Sequence, residues 1–255
     1  MGVDDRPPEV TESALEKGMR VLEALVRADG PVRLSHLAAE LDLQKSLVHR
    51  VLRSFVDRGY VAKDPATDLY VATLKVWELG QAVVGTLPIK QAATTVLQEL
   101  HRRTGETVSL SILDGDDVLY LDKIISPRPM GFTTRVGSRL PAPLTVGGRA
   151  MLAYEDDPKA VITRVAERLG PKVIDVDKAL DDVRRSRDDG YLVGTGRTER
   201  GIVGIAAAIP GPGGRAAAGL TVSAPAKRLD GDREHAIIDA LLIAAAGLAD
   251  AIGHR

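Results

Sequence analysis

From Ser13 onward, apolar residues recur at helical spacing, with Leu15, Met19, Leu22, Leu25 and Val26 marking one face. Ser13 followed three residues later by Glu16 has the form of a capping box, and Asp29-Gly30-Pro31 stops the run. A shorter helix is predicted from about Leu34 to Leu41, burying Leu34, Leu37, Ala38 and Leu41. Only Asp42-Leu43-Gln44 separates it from a third helix, about Lys45 to Arg58, so the link is a tight turn. There Val48, Val51, Leu52 and Phe55 form the inner face, and Gly59 supplies the C-terminal stop. The period then drops to two. Tyr60–Lys63 and Leu69–Val71 read as strands around the turn-forming stretch Asp64–Asp68. Helix, helix, turn, helix and hairpin is the order of a winged helix-turn-helix.

Leu74, Trp77, Leu79 and Val83 predict a further helix, interrupted at Gly85 and Pro88, which places a connection between two domains there. A helix from about Ile89 to Arg103 opens the second domain. Strands are predicted at Thr107–Leu113, Val118–Ile125, Ile202–Ile209 and Ala216–Val222. The last two flank Pro210-Gly211-Pro212-Gly213-Gly214, which is hairpin chemistry. Helices are predicted at Val146–Tyr154, Asp157–Leu169, Asp177–Asp188 and Asp232–Ile252. This is the α+β class, an antiparallel sheet with helices packed on it. The expected division is a disordered tail over 1–12, the winged helix-turn-helix over 13–74, a linker helix over 75–88 and a second domain over 89–255.

A length of 255 residues suits two domains better than one. Aromatic residues make up only 3 %, so the cores must be built from Leu, Val, Ile and Ala. The absence of cysteine excludes disulfides, thiolate metal sites and a cysteine nucleophile, and agrees with a cytoplasmic setting. Met1–Glu12 is acidic and lacks an apolar run, so it reads as neither a secretory signal nor an anchor. No stretch is read as the roughly 20 apolar residues of a membrane span, and no membrane partner is expected. The net charge of −1 argues against indiscriminate nucleic-acid binding. Between Arg33 and Lys63, however, the cations Arg33, Lys45, Arg50, Arg53, Arg58 and Lys63 outweigh Glu40, Asp42 and Asp57, a local excess of +3. A basic excess confined to one segment suits a module that docks one face on phosphates.

A helix in the major groove needs polar or basic side chains on its outer face and apolar residues behind it. Opposite the inner face of the third helix stand Lys45, Ser46, His49, Arg50 and Arg53. Ser46 can donate to a phosphate or base edge, Arg50 or Arg53 can bind guanine or phosphate, and Leu47 can touch a thymine methyl. Gln44 and Arg33 complete the candidate set on the helical side. On the wing, Lys63 and Arg58 are expected to contact backbone rather than read bases. For any one arginine, a merely solvated basic face remains an alternative.

Other signals fail. Gly196 and Gly201 have phosphate-loop spacing, but Ile202 and Val203 stand where Lys and Ser or Thr are needed. His36, His49, His101, His235 and His254 show no metal-ligand spacing. The carboxylate pairs Asp116-Asp117, Asp156-Asp157 and Asp181-Asp182 fall in turns or helix starts, where acids are favoured electrostatically. No nucleophile elbow is present. No catalytic residue, metal or cofactor is expected.

Taken in order, several segments resemble the IclR family of transcriptional regulators. They are Gln44–Leu52 (QKSLVHRVL), Arg58-Gly59-Tyr60-Val61, Thr104–Leu110 (TGETVSL) and Gly137–Pro141 (GSRLP), then Gly148-Arg149-Ala150, Asp189-Gly190-Tyr191 and Leu220–Pro225 (LTVSAP). The resemblance covers the chain after its tail; no single motif is exclusive, but their order and spacing are specific. It implies a GAF-like effector-binding domain, a homo-oligomer (dimer or tetramer), a double-stranded DNA operator, and control by a small-molecule effector such as an organic acid or aromatic compound. Repression is the sign expected from family habit. Carried over by position, the effector pocket takes Val146 and Gly147 through their backbones, Thr221 and Ser223 through their hydroxyls, and Gly194 and Gly204.

The chain also departs from the family pattern. Leu47 stands where Thr is common, Gly204 where Cys is frequent and Ala208 where Pro is common. After Gly190-Tyr191 the usual acidic pair is missing and Arg197 appears. Arg197 would favour an anion if it points inward, while it can equally face water or an interface. Gly194 and Gly204 are expected to leave room for a bulkier ligand. Two rivals stay open: an enzyme with a targeting module, and a second domain that only oligomerises.

Overall fold

A computed structural model of the chain describes residues 12–128, 134–170, 172–196 and 201–253. The tail apart from Glu12, together with Arg197 and His254, lies outside the described residues. The chain divides into two compact units, Met1–Val83 and Val84–Arg255.

The first unit begins with α1 (Ala14–Arg27), and the predicted capping box forms between Ser13 and Glu16. Next come β1 (Val32–Arg33), α2 (Leu34–Glu40), α3 (Lys45–Asp57), β2 (Val61–Lys63), β3 (Leu69–Ala72) and α4 (Leu74–Val84). The strands form a sheet in the order β1-β3-β2, with Val32 opposite Tyr70 and Lys63 also opposite Tyr70. Strand β1 was not expected, because two residues are too few to show alternation. Its pairing with β3 creates it. Val21, Leu25, Leu37, Val48, Leu52, Val61 and Tyr70 form the core.

The apolar periodicity of α1 covers two faces. Val21, Ala24 and Leu25 are buried, whereas Leu15 is 75 % exposed and Met19 and Val26 are about half exposed. Helix α4 buries none of its residues, and Leu74, Trp77, Leu79 and Val83 are all exposed.

In the second unit α5 (Pro88–Thr104) precedes β4 (Thr107–Asp114), β5 (Asp117–Ile124) and β6 (Arg139–Pro141). Then follow α6 (Val146–Leu152), α7 (Pro158–Leu169), α8 (Val176–Asp189), β7 (Leu192–Thr195), β8 (Ile202–Pro210), β9 (Ala216–Pro225) and α9 (Gly231–Gly253). All six strands pair antiparallel in the order β6-β5-β4-β9-β8-β7. The edge strands β6 and β7 escaped the sequence reading because each is held mainly by backbone pairing to a longer neighbour.

Alternation along the inner strands assigns the two faces of the sheet. Val108, Leu110, Ile205, Ile209, Leu220 and Val222 pack against α5 and α9. Met151, Leu152, Ile162, Val165 and Val183 build a second core around α6, α7 and α8 on the other face. Fully burying each large aliphatic side chain contributes about 1.5–3 kcal/mol. Contrary to the expectation of no span-length apolar stretch, α9 is long and apolar enough to cross a membrane by length and composition. Its Ile237, Leu241, Ala245 and Leu248 are buried in the core, which accounts for the apolar composition within the unit.

Candidate functional site

Helix α3 is anchored by Val48 and Leu52, both fully buried, with Val51, Phe55 and Val56 packed beside them. The same helical period turns Lys45, Ser46, His49, Arg50 and Arg53 to solvent, and Leu47 is half-buried at the margin. Gln44 is the N-cap of α3, exposed and making no side-chain capping bond. Among the described residues, Lys45, Arg50 and Arg53 form no ion pair. Their charges remain available to an external anion.

The hairpin differs. Lys63 Nζ lies 2.6 Å from Asp68 Oδ1 and 5.6 Å from the centre of the Tyr70 ring. The Lys63 hydrogen bond holds the Asp68 carboxyl below its ordinary range, and Asp68 raises the Lys63 ammonium in return. Arg33 is exposed on β1, next to this pair in the sheet.

The end of α3 is tied to the start of α4. Lys75 Nζ donates to Arg58 O at 2.7 Å and stands 4.6 Å from the Tyr60 ring centre. Thr73 adds two bonds, its hydroxyl donating to Gly59 O at 2.6 Å and its N–H to Tyr60 O at 2.9 Å. Lysine near the last carbonyls of a helix also complements the helix dipole.

In the second unit, a cavity of about 40 Å³ opens between the sheet and the first turn of α6. Val146, Gly147, Gly204, Thr221 and Ser223 all line it; Gly194 does not. The N-cap Thr145 accepts a bond from Gly148 N at 2.9 Å and thereby fixes this turn. A Cβ on Gly147 would lie 2.7 Å from Thr221 Oγ1, and one on Gly148 only 2.2 Å from Ala142 O. Both positions therefore need glycine so that the helix can sit close to the hydroxyls and to its own entry loop.

The space around Gly194 and Gly204 is occupied. A Cβ on Gly204 would meet Val146 at 3.0 Å, and one on Gly194 would meet Arg149 Nη2 at 3.3 Å. The expectation that these glycines make room for a bulkier ligand is corrected on this point. Val146 and Arg149 fill the volume that larger residues would take.

Arg149 is only 6 % exposed. Its Nε stands 3.0 Å from Asp182 Oδ2, while Nη1 and Nη2 donate to Pro143 O at 2.9 Å and Thr195 O at 3.1 Å. The Nε contact has ion-pair distance but not hydrogen-bond geometry. Burial pushes the guanidinium pKa down, and the Asp182 carboxylate opposes that shift. The buried pair ties the loop entering α6 to α8 and β7.

Ser109, Tyr120, Lys123, Thr134, Thr145, Gly196 and Ile202 also line the cavity and were not named as pocket residues from the sequence. Thr107, Ser109 and Ser111 alternate with Val108 and Leu110, a hydroxyl stripe that period-two reading could have found. Tyr120 and Lys123 gave no such signal. Their odd spacing puts them on opposite faces of a regular strand, but Leu121 has no partner opposite it where the register shifts between Leu110 and Ser111. Tyr120 therefore faces Ser111, Lys123 faces Ser109, and both reach the cavity. Among the described residues, no group of His, Asp and Glu could hold a metal ion.

Comparison with known proteins agrees with both units. The family model for the IclR helix-turn-helix domain matches residues 14–65, and that for the bacterial transcriptional regulator IclR C-terminal region matches 81–249. The HTH-type transcriptional regulator KdgR of Dickeya chrysanthemi is 29 % identical, the match covering 98 % of this chain and 83 % of the relative. The HTH-type transcriptional repressor AllR of Salmonella typhi is 28 % identical over 86 % of this chain and 82 % of its own. An IclR homolog from Microbacterium hydrocarbonoxydans, solved in complex with 4-hydroxybenzoate, superposes with a TM-score of 0.82. It is 22 % identical, over 95 % of this chain and all of that one (100 %). With a C-terminal match over most of the chain, a helix-turn-helix match ahead of it and the fold in common, the chain belongs to the IclR family of bacterial transcriptional regulators.

Proposed function

We propose that the protein is a homo-oligomeric repressor whose hold on an operator is set by a small effector in the cavity beside α6. The observation that carries this reading is the outer face of α3, where Lys45, Ser46, His49, Arg50 and Arg53 are exposed behind a core of Val48 and Leu52. Arg50 or Arg53 reads bases, Ser46 and Leu47 supply close contacts, and Gln44, Lys45, Arg33 and Lys63 position the helix on phosphates. Two copies place their recognition helices on successive half-sites of a palindromic operator. The exposed apolar residues of α1 and α4 support a second copy, since Leu15, Trp77 and Leu79 are more than half exposed and Met19 nearly so.

For the second unit, a cavity lined by buried hydroxyls favours sensing over oligomerisation alone, which would be served by a closed apolar interior. The AllR name supports repression, and the neighbour complexed with 4-hydroxybenzoate supports a small-molecule ligand. An effector controls the operator only if it binds the DNA-competent and incompetent states with different affinity. The test is footprinting on the DNA upstream of the protein's own gene, with and without small carboxylates and aromatics. A protected palindrome whose protection weakens with one compound supports the reading. Absence of protection at any salt concentration, or protection unchanged by Arg50→Ala and Arg53→Ala together, defeats it.

A further inference from the structure

We propose that the second unit holds a further ligand site, between α6, α8 and the end of β7, which takes a neutral, ring-sized molecule carrying a hydroxyl group. A cavity of about 190 Å³ lies there and shares no lining residue with the smaller one between the sheet and the first turn of α6. Leu144, Ile174 and Ala179 give it an apolar lining. The state of Asp182 points to a ligand. This residue lines the cavity and is 8 % exposed. Its Oδ2 stands 3.0 Å from Arg149 Nε and its Oδ1 3.8 Å from Arg185 Nη1, both ion-pair distances. Among the described residues, however, neither oxygen accepts a hydrogen bond. Buried polar groups as a rule have such a partner, so a carboxylate matched in charge but accepting nothing leaves a place for a donor.

Spacing and charge define that donor. Lys178 stands one helical turn before Asp182 on α8, so both lie on one face of the helix, and both line the cavity. They form no ion pair with each other, and the Lys178 ammonium pairs with no acid among the described residues. A hydroxyl set between them donates to the carboxylate and accepts from the ammonium with a single group. Asp175 is engaged already, since it caps α8 by accepting from Lys178 N at 3.1 Å. Arg149 and Lys178 together balance Asp175 and Asp182, so the lining carries no net charge. An ionic ligand would bring a charge without its counter-charge, and a neutral one does not. Size narrows the class further. A cavity of roughly 150 Å³ holds benzene, so about 190 Å³ admits one ring with its hydroxyl, the ring lying against Leu144, Ile174 and Ala179.

The test uses the full-length protein without DNA, so its outcome is separate from that of the operator reading. The probes are phenol and cyclohexanol, each paired with its methyl ether, which keeps the ring and the oxygen but has no proton to donate. By calorimetric titration at least one hydroxyl compound should bind about tenfold or more tightly than its ether, the scale of one hydrogen bond to a charged group. Methyl NMR of the isoleucines locates the site, because Ile174 lines this cavity and Ile202 the smaller one. The Ile174 methyl resonance should shift on titration while that of Ile202 stays in place. Ala179→Leu adds bulk to the cavity and should abolish binding, with circular dichroism and the unliganded melting temperature checking that it is folded. Should it fail to fold, the two measurements on wild type decide. A shift at Ile202 without one at Ile174 puts the compound in the smaller cavity and overturns the inference. Equal binding of hydroxyl compound and ether, no binding of either, or full binding by folded Ala179→Leu overturns it as well.

Discussion

The outer face of α3 and the body of the second unit treat arginine in opposite ways. In the second unit most arginines are matched to acids: Arg102 and Arg103 to Glu99, Arg139 to Asp114, Arg149 to Asp182, Arg164 to Asp116, Arg168 to Asp117, and Arg228 and Arg233 to the fully buried Glu106. There the charges fasten elements to one another, as where Arg164 and Arg168 hold the β4–β5 turn against α7. On α3, Lys45, Arg50 and Arg53 carry no internal partner among the described residues. Polymer phosphates can displace counterions from such cations without breaking a bond within the protein. A charge that is already satisfied stabilises the fold, and a charge left open is free to bind. Lys63 stands between these cases, because Asp68 occupies it in the unbound protein.

The contrast can be broken most sharply at Asp182. Asp182→Ala leaves the buried Arg149 charge uncompensated and should cost about 3–5 kcal/mol of folding stability by denaturant unfolding. A loss below about 1 kcal/mol would mean that the second unit does not depend on its paired arginines. Arg50→Ala should do the reverse. It should weaken operator binding by about 1–3 kcal/mol while changing folding stability by no more than about 0.5 kcal/mol. Lys75→Met removes the bond to Arg58 O and should lower the stability of the first unit by about 1 kcal/mol, with DNA affinity falling in parallel. Unchanged unfolding would show that the end of α3 is held without it.

Asp68→Asn should release Lys63 and raise DNA affinity by a smaller amount than Arg50→Ala lowers it, with a steeper salt dependence. A fall in affinity would place Lys63 away from the phosphates. The smallest effect concerns pH. The Arg164 guanidinium holds the Asp116 carboxyl below its ordinary range, so the pair's contribution is complete above that range and lost as pH falls through the lowered value. Asp116→Asn should therefore reduce stability at neutral pH and flatten that part of the acid limb. An unchanged acid limb would remove the pair from the stability balance.

Much of the molecule was legible from one sequence because its signals are local. The capping box at Ser13, the turn at Asp42–Gln44 and the two faces of α3 follow from spacing within a few residues, and the structure has each of them. Thr221 and Ser223 were named because the segment Leu220–Pro225 resembles a family motif, and both reach the cavity. Gly194 was named on the same grounds. Arg149, arriving from α6, occupies the place beside it, and no local pattern at Gly194 could show that.

The amino-acid order by itself determined the succession of the helices and of the longer strands, the class of fold and the side of α3 that carries charge, since each depends on periodicity along a single element. The tertiary structure alone decided which strands form the edges, how little space Gly194 and Gly204 leave, and that Lys123 joins Ser109 and Thr221. Those outcomes depend on a register shift near Leu121 and on side chains arriving from distant segments, contacts fixed only when the sheet closes beneath α6.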